Sequence, residues 1–361
     1  MNVLFVINGN EPYVSQQAQI ELIAGLQKKG VSILVIGNIF GEVETNFKSL
    51  QLPFLRIFPQ RRIDRNYIKA FKKILNEHTI ELVHFIDGKS SRSGLIALKN
   101  TNIKVVNYFG STSLHWYDPS SYLTYLHPRI DAIIGNSNHV YSHVKNQLFG
   151  KHKEKVVRIF KGYSSKWFDK VKAFDYTTMN IPKDAIKVCF VGNHRKVKGT
   201  RYFLESSYYL SSEKEIHFIV IGEDTDKYPL NRITKKSPIV DRIHILGIRN
   251  DVASLLKGCD IYAQTSLNEG FGRAISEAMS VGKPIIMTDA GGCTELIDKH
   301  SGIITPLKDS KGIANAISKL ADDDSLRVAM GKKAKERINS VYHIDNTVKD
   351  TLQLYNQLLK K

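Results

Sequence analysis

Short apolar runs rich in β-branched residues recur along the chain, separated by stretches with helical periodicity. In the first half they fall at 3–7, 31–36, 80–86, 103–109 and 131–135; in the second at 186–192, 216–222, 242–246, 259–264, 284–288 and 302–305. Runs that stay apolar instead of alternating belong to strands covered on both faces, and their alternation with helices implies right-handed βαβ units on a parallel sheet. The pattern predicts an α/β protein of two doubly wound, Rossmann-like domains. Residues 162–183 between the two series are polar and aromatic with no clear period, so a boundary belongs there. The predicted division is 1–165, 166–340 and a terminal helix over 341–361. In that helix Ile344, Val348, Leu352, Tyr355 and Leu359 repeat at helical spacing. The apolar stripe either packs back across the first domain or caps its own. Ligands of such folds collect at the carboxyl ends of the strands, and two facing domains would place a site in the cleft between them.

Composition narrows the class. A chain of 361 residues with 42% hydrophobic content, 16 Phe and 16 Tyr is globular, not disordered. The first apolar run is too short for a signal-peptide core, and no later stretch approaches the ~18 apolar residues of a spanning helix. The expectation is a cytoplasmic protein with no transmembrane segment. The 3 cysteines, Cys189, Cys259 and Cys293, are far apart and outside any CxxC, which suits core residues and implies neither disulfide nor zinc site. The net charge is +17. Residues 1–165 carry 21 Lys+Arg against 11 Asp+Glu, and 166–361 carry 31 against 24, so both halves are basic. Such an excess suits anionic partners without choosing among nucleic acid, acidic lipid and phosphorylated substrate.

Residues 260–286 carry the most chemistry. A strand ends near Thr265, the chain turns through Glu269-Gly270-Phe271-Gly272, and Arg273–Met279 reads as a helix ended by Gly282 and Pro284. A glycine turn that opens a helix after a strand offers backbone N–H groups and the positive end of the dipole to an anion. Two carboxylates flank it: Glu269 before the glycines, and Glu277 in the helix's second turn. A simple i,i+4 ion pair between Arg273 and Glu277, worth ~0.3–0.5 kcal/mol, is the plainer reading of Glu277. Arg273 sits in the first helical turn, where a cation opposes the dipole, so its charge points to an anionic ligand. A second cluster, Gly192-Asn193-His194-Arg195-Lys196-Val197-Lys198-Gly199, follows the strand at 186–191. Solvated basic loop is its plainer reading.

Glu269 and Glu277, separated by seven residues around Gly-Phe-Gly and followed by Ala278-Met279 and Gly282-Lys283-Pro284, resemble the E-x7-E signature of retaining glycosyltransferases of family 4, which have the GT-B fold. Residues 288–297, 302–306, 191–199, 220–223 and 131–137 are similar to that family's other landmarks in order. The resemblance implies a first domain on the acceptor side and a second that binds a nucleotide sugar. It implies that Glu277 grips the ribose hydroxyls, and that Glu269 with the Gly270–Gly272 amides contacts the donor sugar and phosphate. It further implies that Gly192 ends the strand and that Lys198 clasps the leaving diphosphate. Relatives usually carry a basic residue directly after that strand-end glycine; here it is Asn193, so Arg195 is the candidate guanidinium. Phe271 and Arg273 complete the expected donor contacts. No resident cofactor and no metal are expected. Where relatives place a His before Gly to meet the donor's outer hydroxyl, this chain has Phe109. An apolar wall there would favour a 6-deoxy donor; otherwise Phe109 faces core and His115 takes its place. The first-strand loop, 8–17, departs from the family's Gly-Gly turn.

Asp224-Thr225-Asp226 is a D-x-D, but it lies in the wrong domain for a metal site of that kind and reads as a solvated turn. Residues 61–75, read as one helix, gather Arg61, Arg62, Arg65, Lys69, Lys72 and Lys73 on one side and Ile63, Tyr67, Ala70, Phe71, Ile74 and Leu75 on the other. Six cations on one face suit an anionic membrane. The expected activity is transfer of a sugar to a hydroxyl of a glycan or lipid-linked acceptor in polysaccharide or lipopolysaccharide synthesis, peripheral on the inner face of the cytoplasmic membrane. The rivals are an epimerase or phosphorylase on the same fold, or a non-catalytic sugar- or anion-binding protein. No nucleic-acid-binding module is recognisable.

Overall fold

The computed structural model describes residues 1–9, 13–86 and 88–360. The chain forms two compact units, Met1–Gly162 with Ile344–Lys361, and Tyr163–His343. In the first unit the order is β1 (Asn2–Ile7), α1 (Tyr13–Lys28), β2 (Ser32–Gly37), α2 (Gly41–Ser49), β3 (Phe54–Leu55) and α3 (Arg65–Glu77). It continues through β4 (Leu82–Phe85), α4 (Gly88–Ala97), β5 (Lys104–Phe109), β6 (Ala132–Gly135), α5 (Asn138–Asn146) and β7 (Val156–Arg158). The seven strands form one parallel sheet in the order β3-β2-β1-β4-β5-β6-β7. Val3 to Val6, Leu82 to Phe85 and Ala132 to Ile134 are buried, as sheets with helices on both faces require.

The second unit runs β8 (Ile186–Val191), α6 (Thr200–Ser206), β9 (Ile216–Ile221), α7 (Leu230–Lys235), β10 (Ile243–Ile245), α8 (Val252–Gly258) and β11 (Ile261–Gln264). It ends with α9 (Arg273–Ser280), β12 (Ile285–Thr288), β13 (Gly302–Thr305), α10 (Ser310–Asp322) and α11 (Asp324–Ser340). Its six parallel strands are ordered β10-β9-β8-β11-β12-β13. In both sheets the order reverses beside the first strand, between β1 and β4 and between β8 and β11. Loops leaving the carboxyl ends of such a pair diverge and open a crevice.

The terminal helix α12 (Ile344–Lys360) belongs to the first unit and packs against α1. Gly25 permits the approach, since a Cβ there would lie 2.5 Å from Val348 Cγ2. His84 on β4 meets the Tyr355 hydroxyl through Nδ1 at 2.5 Å, fixing the same helix from beneath.

All eleven apolar runs are strands. The periodicity missed β3 and β7, which have two and three residues and carry too little pattern to stand out. The basic helix also begins later than the sequence suggests. Asp64 is its N-cap, accepting from the N–H groups of Asn66 and Tyr67 at 3.0 Å. Arg61, Arg62 and Ile63 therefore lie outside α3, and Ile63 is exposed instead of buried. The predicted apolar side otherwise holds, with Tyr67, Phe71, Ile74 and Leu75 buried.

Candidate functional site

At the β8–β11 reversal the loop after β8 closes onto the end of β11. Gly199 adopts φ +65 and lies so near β11 that a Cβ would fall 1.7 Å from the Thr265 carbonyl oxygen. Its own carbonyl accepts from Thr265 Oγ1 at 2.8 Å, and Leu267 N–H donates to the Val197 carbonyl at 2.8 Å. These contacts carry Lys198 to Glu269: Nζ and Oε2 are 2.8 Å apart. Glu269 is held from the other side as well. Its N–H donates to the Ala290 carbonyl at 2.8 Å, and Ser266 Oγ donates to Oε2 at 3.3 Å. Behind Ser266 a buried relay runs through Gln264 Nε2 at 2.9 Å to the Tyr262 hydroxyl, which donates to Gln264 Oε1 at 2.5 Å. No resemblance flagged Tyr262, Gln264 or Ser266; the polarity of the first two in an otherwise apolar strand, and of Ser266 just beyond it, was the available signal.

The turn that follows delivers the chain to α9. Gly272 has φ +95, a conformation that a side chain strains, and the helix start carries no side-chain cap. An uncapped first turn is where an anion is stabilised by backbone amides and dipole. Phe271 fixes the position of this turn. Its ring is 3% exposed, stacked on Tyr163 at 6.4 Å and edge-on to Tyr342 at 5.7 Å. It anchors the turn in the core of the unit.

Glu277 is buried, and Arg273 Nε lies 3.5 Å from its Oε1. The i,i+4 pair is thus present, at a length that gives weak electrostatic contact, with the arginine side chain 46% exposed. Arg273's charge is answered in part by Glu277. Arg195 is exposed, and its N–H donates to Asn193 Oδ1 at 3.3 Å, so Asn193 shapes the loop as an Asx turn. Gly192 packs tightly between Phe190 and Lys198: a Cβ would stand 2.9 Å from Phe190 Cζ and 3.4 Å from Lys198 Cβ.

The D-x-D is a turn. Asp224 takes φ +60, pairs with Lys227 Nζ at 2.7 Å, and its carbonyl meets His194 Nδ1 at 2.9 Å. Among the described residues no group of three His, Cys, Asp or Glu could hold a metal. Cys189, Cys259 and Cys293 are buried free thiols. Burial pushes the Cys293 thiol up to about 12, so none of the chemistry here is expected from it.

Phe109 faces core, the second of its two readings. Phe109 belongs to the first unit's hydrophobic cluster, edge-on to Tyr125 at 4.6 Å. Its ring is committed to the core, which gives the 6-deoxy reading no support. His115 stacks on Tyr117 at 5.0 Å in an aromatic loop. Of the first-strand loop, residues 10–12 lie outside the described residues.

Comparison with known proteins sets this geometry in a lineage. The model of "Glycosyltransferase Family 4" matches residues 18–165, and that of "Glycosyl transferases group 1" matches 174–337. The chain belongs to glycosyltransferase family 4. Among family members, the N,N'-diacetylbacillosaminyl-diphospho-undecaprenol alpha-1,3-N-acetylgalactosaminyltransferase of Campylobacter jejuni is 29% identical over 194 residues, 52% of this chain and 49% of that one. The chain spans about half the length of the curated relatives it matches first, 49% and 45%. A glycosyltransferase from Rickettsia africae superposes with TM-score 0.83 at 18% identity, over 100% of this chain and 99% of that one. HepE of Anabaena, solved in complex with UDP, gives 0.82 at 19%, over 99% and 100%. These likenesses establish the GT-B fold. In this family member Glu269 precedes the turn into α9 and Glu277 lies in the helix's second turn.

Proposed function

We propose that this family 4 protein moves a sugar from a nucleoside diphosphate to a hydroxyl of a glycan or lipid-linked acceptor, with retention of anomeric configuration and without a metal ion. The observation that carries the proposal is the Lys198–Glu269 pair beside the uncapped start of α9, at the strand reversal. The relatives support the substrate classes: HepE was solved with UDP, and the Campylobacter enzyme's name records a diphospho-undecaprenol acceptor.

In this proposal Glu277 accepts from both ribose hydroxyls, a directional grip that a buried carboxylate provides well. Glu269 and the amides of Gly270–Gly272 meet the donor sugar and phosphate. Lys198, aided by Arg195, faces the diphosphate, on which negative charge grows as the glycosidic bond breaks. Cations and amides already aimed there stabilise the transition state more than the ground state. The leaving phosphate oxygen takes the acceptor proton, so no side chain is assigned as base. The pairing of Lys198 with Glu269 holds the ammonium in place before the donor arrives. The acceptor belongs to cell-surface polysaccharide or lipopolysaccharide synthesis, and the protein works on the inner membrane face, held by Arg65, Lys69, Lys72 and Lys73 of α3. All four are exposed. No helix among the described residues is long and apolar enough to cross a membrane.

Screening nucleotide sugars for protection against thermal unfolding tests the donor. A ligand at 100 times its Kd adds about 2.7 kcal/mol to stability. One or a few nucleoside diphosphate sugars should raise Tm equally with and without EDTA. A panel that leaves Tm unchanged, or protection that EDTA abolishes, contradicts the proposal.

A further inference from the structure

The first unit has its own strand reversal, between β1 and β4, and a cavity of about 600 Å³ opens there. It is lined by the ends of β1 and β2, the segment after β3, the start of α4 and the loop after β5. Four cations line it, Arg61, Arg62, Lys89 and Arg92, together with Ser120 and Thr124. No described lining residue is acidic. Among the described residues no carboxylate lies within ion-pair distance of Arg61, Arg62 or Arg92. Two aspartates lie nearby and attract these cations from beyond ion-pair distance, Asp64 facing Arg61 and Asp118 facing Arg92, so they offset part of the charge; Asp64 accepts three backbone N–H groups, from Gln60, Asn66 and Tyr67. Asp118 accepts from the N–H and hydroxyl of Ser120. Converging like charges repel unless an anion joins them, and three guanidiniums offer the forked donors that match phosphate oxygens.

The loop that supplies Ser120 and Thr124 also leaves Trp116, Tyr117, Tyr122 and Leu123 exposed, from 43% to 66%. A cationic cavity beside exposed aromatic and aliphatic side chains fits a ligand with a phosphate head and an apolar tail. We propose that this cavity binds the phosphate or diphosphate of the acceptor, and that the acceptor is a phosphorylated amphiphile and not a neutral glycan. The inference rests on the glycosyl-transfer reading for its biological sense, but its test does not use turnover. It also explains why Arg61 and Arg62 stand off α3: they serve the cavity and not the helix face.

The test is calorimetry in saturating UDP, which occupies the other site. The probes are farnesyl diphosphate, inorganic pyrophosphate and farnesol. Wild type should bind farnesyl diphosphate at least tenfold more tightly than pyrophosphate, bind farnesol weakly, and lose affinity as salt rises. Arg61→Gln/Arg62→Gln/Arg92→Gln should weaken farnesyl diphosphate tenfold or more with the UDP Kd unchanged, and the three Arg→Lys replacements should restore much of it. Equal binding of farnesyl diphosphate by wild type and the Gln variant overturns the assignment. Pyrophosphate binding as tightly as farnesyl diphosphate overturns the amphiphile. Loss of UDP binding in wild type with farnesyl diphosphate retained would refute the donor site and leave this one standing.

Discussion

Lys198 and Glu269 neutralise each other at 2.8 Å, so a diphosphate arriving at the β8–β11 crevice competes with a carboxylate for the ammonium. Removing the lysine deletes a cation from the leaving group and leaves an acid facing it. Lys198→Ala should lower kcat by roughly 10²–10³, the scale of one preorganised electrostatic contact. Steady-state turnover checks this, and a drop under tenfold would move the diphosphate elsewhere. Glu277→Ala should weaken nucleotide binding by about 1.5–3 kcal/mol, the range of a charged hydrogen-bonded contact, read by calorimetry with UDP. An unchanged Kd would reduce Glu277 to the partner of Arg273. These residues were legible because glycine turns and paired carboxylates announce themselves in the chain. Phe109 was not: in a strand covered on both faces, both sides of the chain are apolar, and no pattern tells which side a ring takes. The relay from Tyr262 to Ser266 was equally hidden, because it depends on alternate residues of β11 meeting the loop that Gly199 brings down on it.

At the level of elements, local chemistry decided what periodicity left open. The 3.6-residue pattern ran through 61–75, yet an Asx cap at Asp64 starts α3 and releases Arg61 and Arg62 to the cavity. Four cations remain on the helix, and Lys73 is within 3.7 Å of Glu77. At ~1 kcal/mol per cation near an acidic leaflet, replacing Arg65, Lys69, Lys72 and Lys73 by Gln should release the protein from phosphatidylserine-containing vesicles. Equal sedimentation of the two proteins with vesicles would leave the helix face a matter of solubility. The junction of β4 and α12 carries a pH response. Burial holds the His84 imidazole down at about 3, with its ring 5.1 Å from Phe5 and its Nδ1 on Tyr355. In the unfolded chain a histidine protonates near 6.5, so between about 6.5 and 3 the unfolded state binds a proton that the folded state refuses. Stability contributed by neutral His84 is whole above that window and falls with falling pH, by up to about 1.4 kcal/mol per unit. His127, His143 and His244 are lowered in the same direction, mainly by burial. Thermal melts between about pH 7 and pH 5 should therefore show declining Tm, with a shallower slope for His84→Gln. Identical slopes would place the acid sensitivity in the other histidines.

The whole chain repeats one device: a doubly wound parallel sheet whose strand reversal is furnished with cations. Its architecture was readable almost strand by strand, since continuous apolar runs, glycine turns and helical stretches fix a parallel sheet without knowledge of any contact. The cavity of the first unit was not readable, because its four cations come from two segments, 61–62 and 89–92, that only the β1–β4 reversal brings together. The basic excess over both halves thus has a local meaning in each unit, a proposed diphosphate clasp in one and a proposed acceptor anion subsite in the other. The most direct test of the central claim follows the anomeric proton by NMR while wild-type protein, in EDTA, acts on a protecting nucleotide sugar and a lipid-diphosphate-linked sugar. Release of nucleoside diphosphate that depends on the acceptor, with the new glycosidic bond in the donor's own anomeric configuration, is the predicted result. An inverted linkage, or a donor sugar isomerised without acceptor, would contradict it.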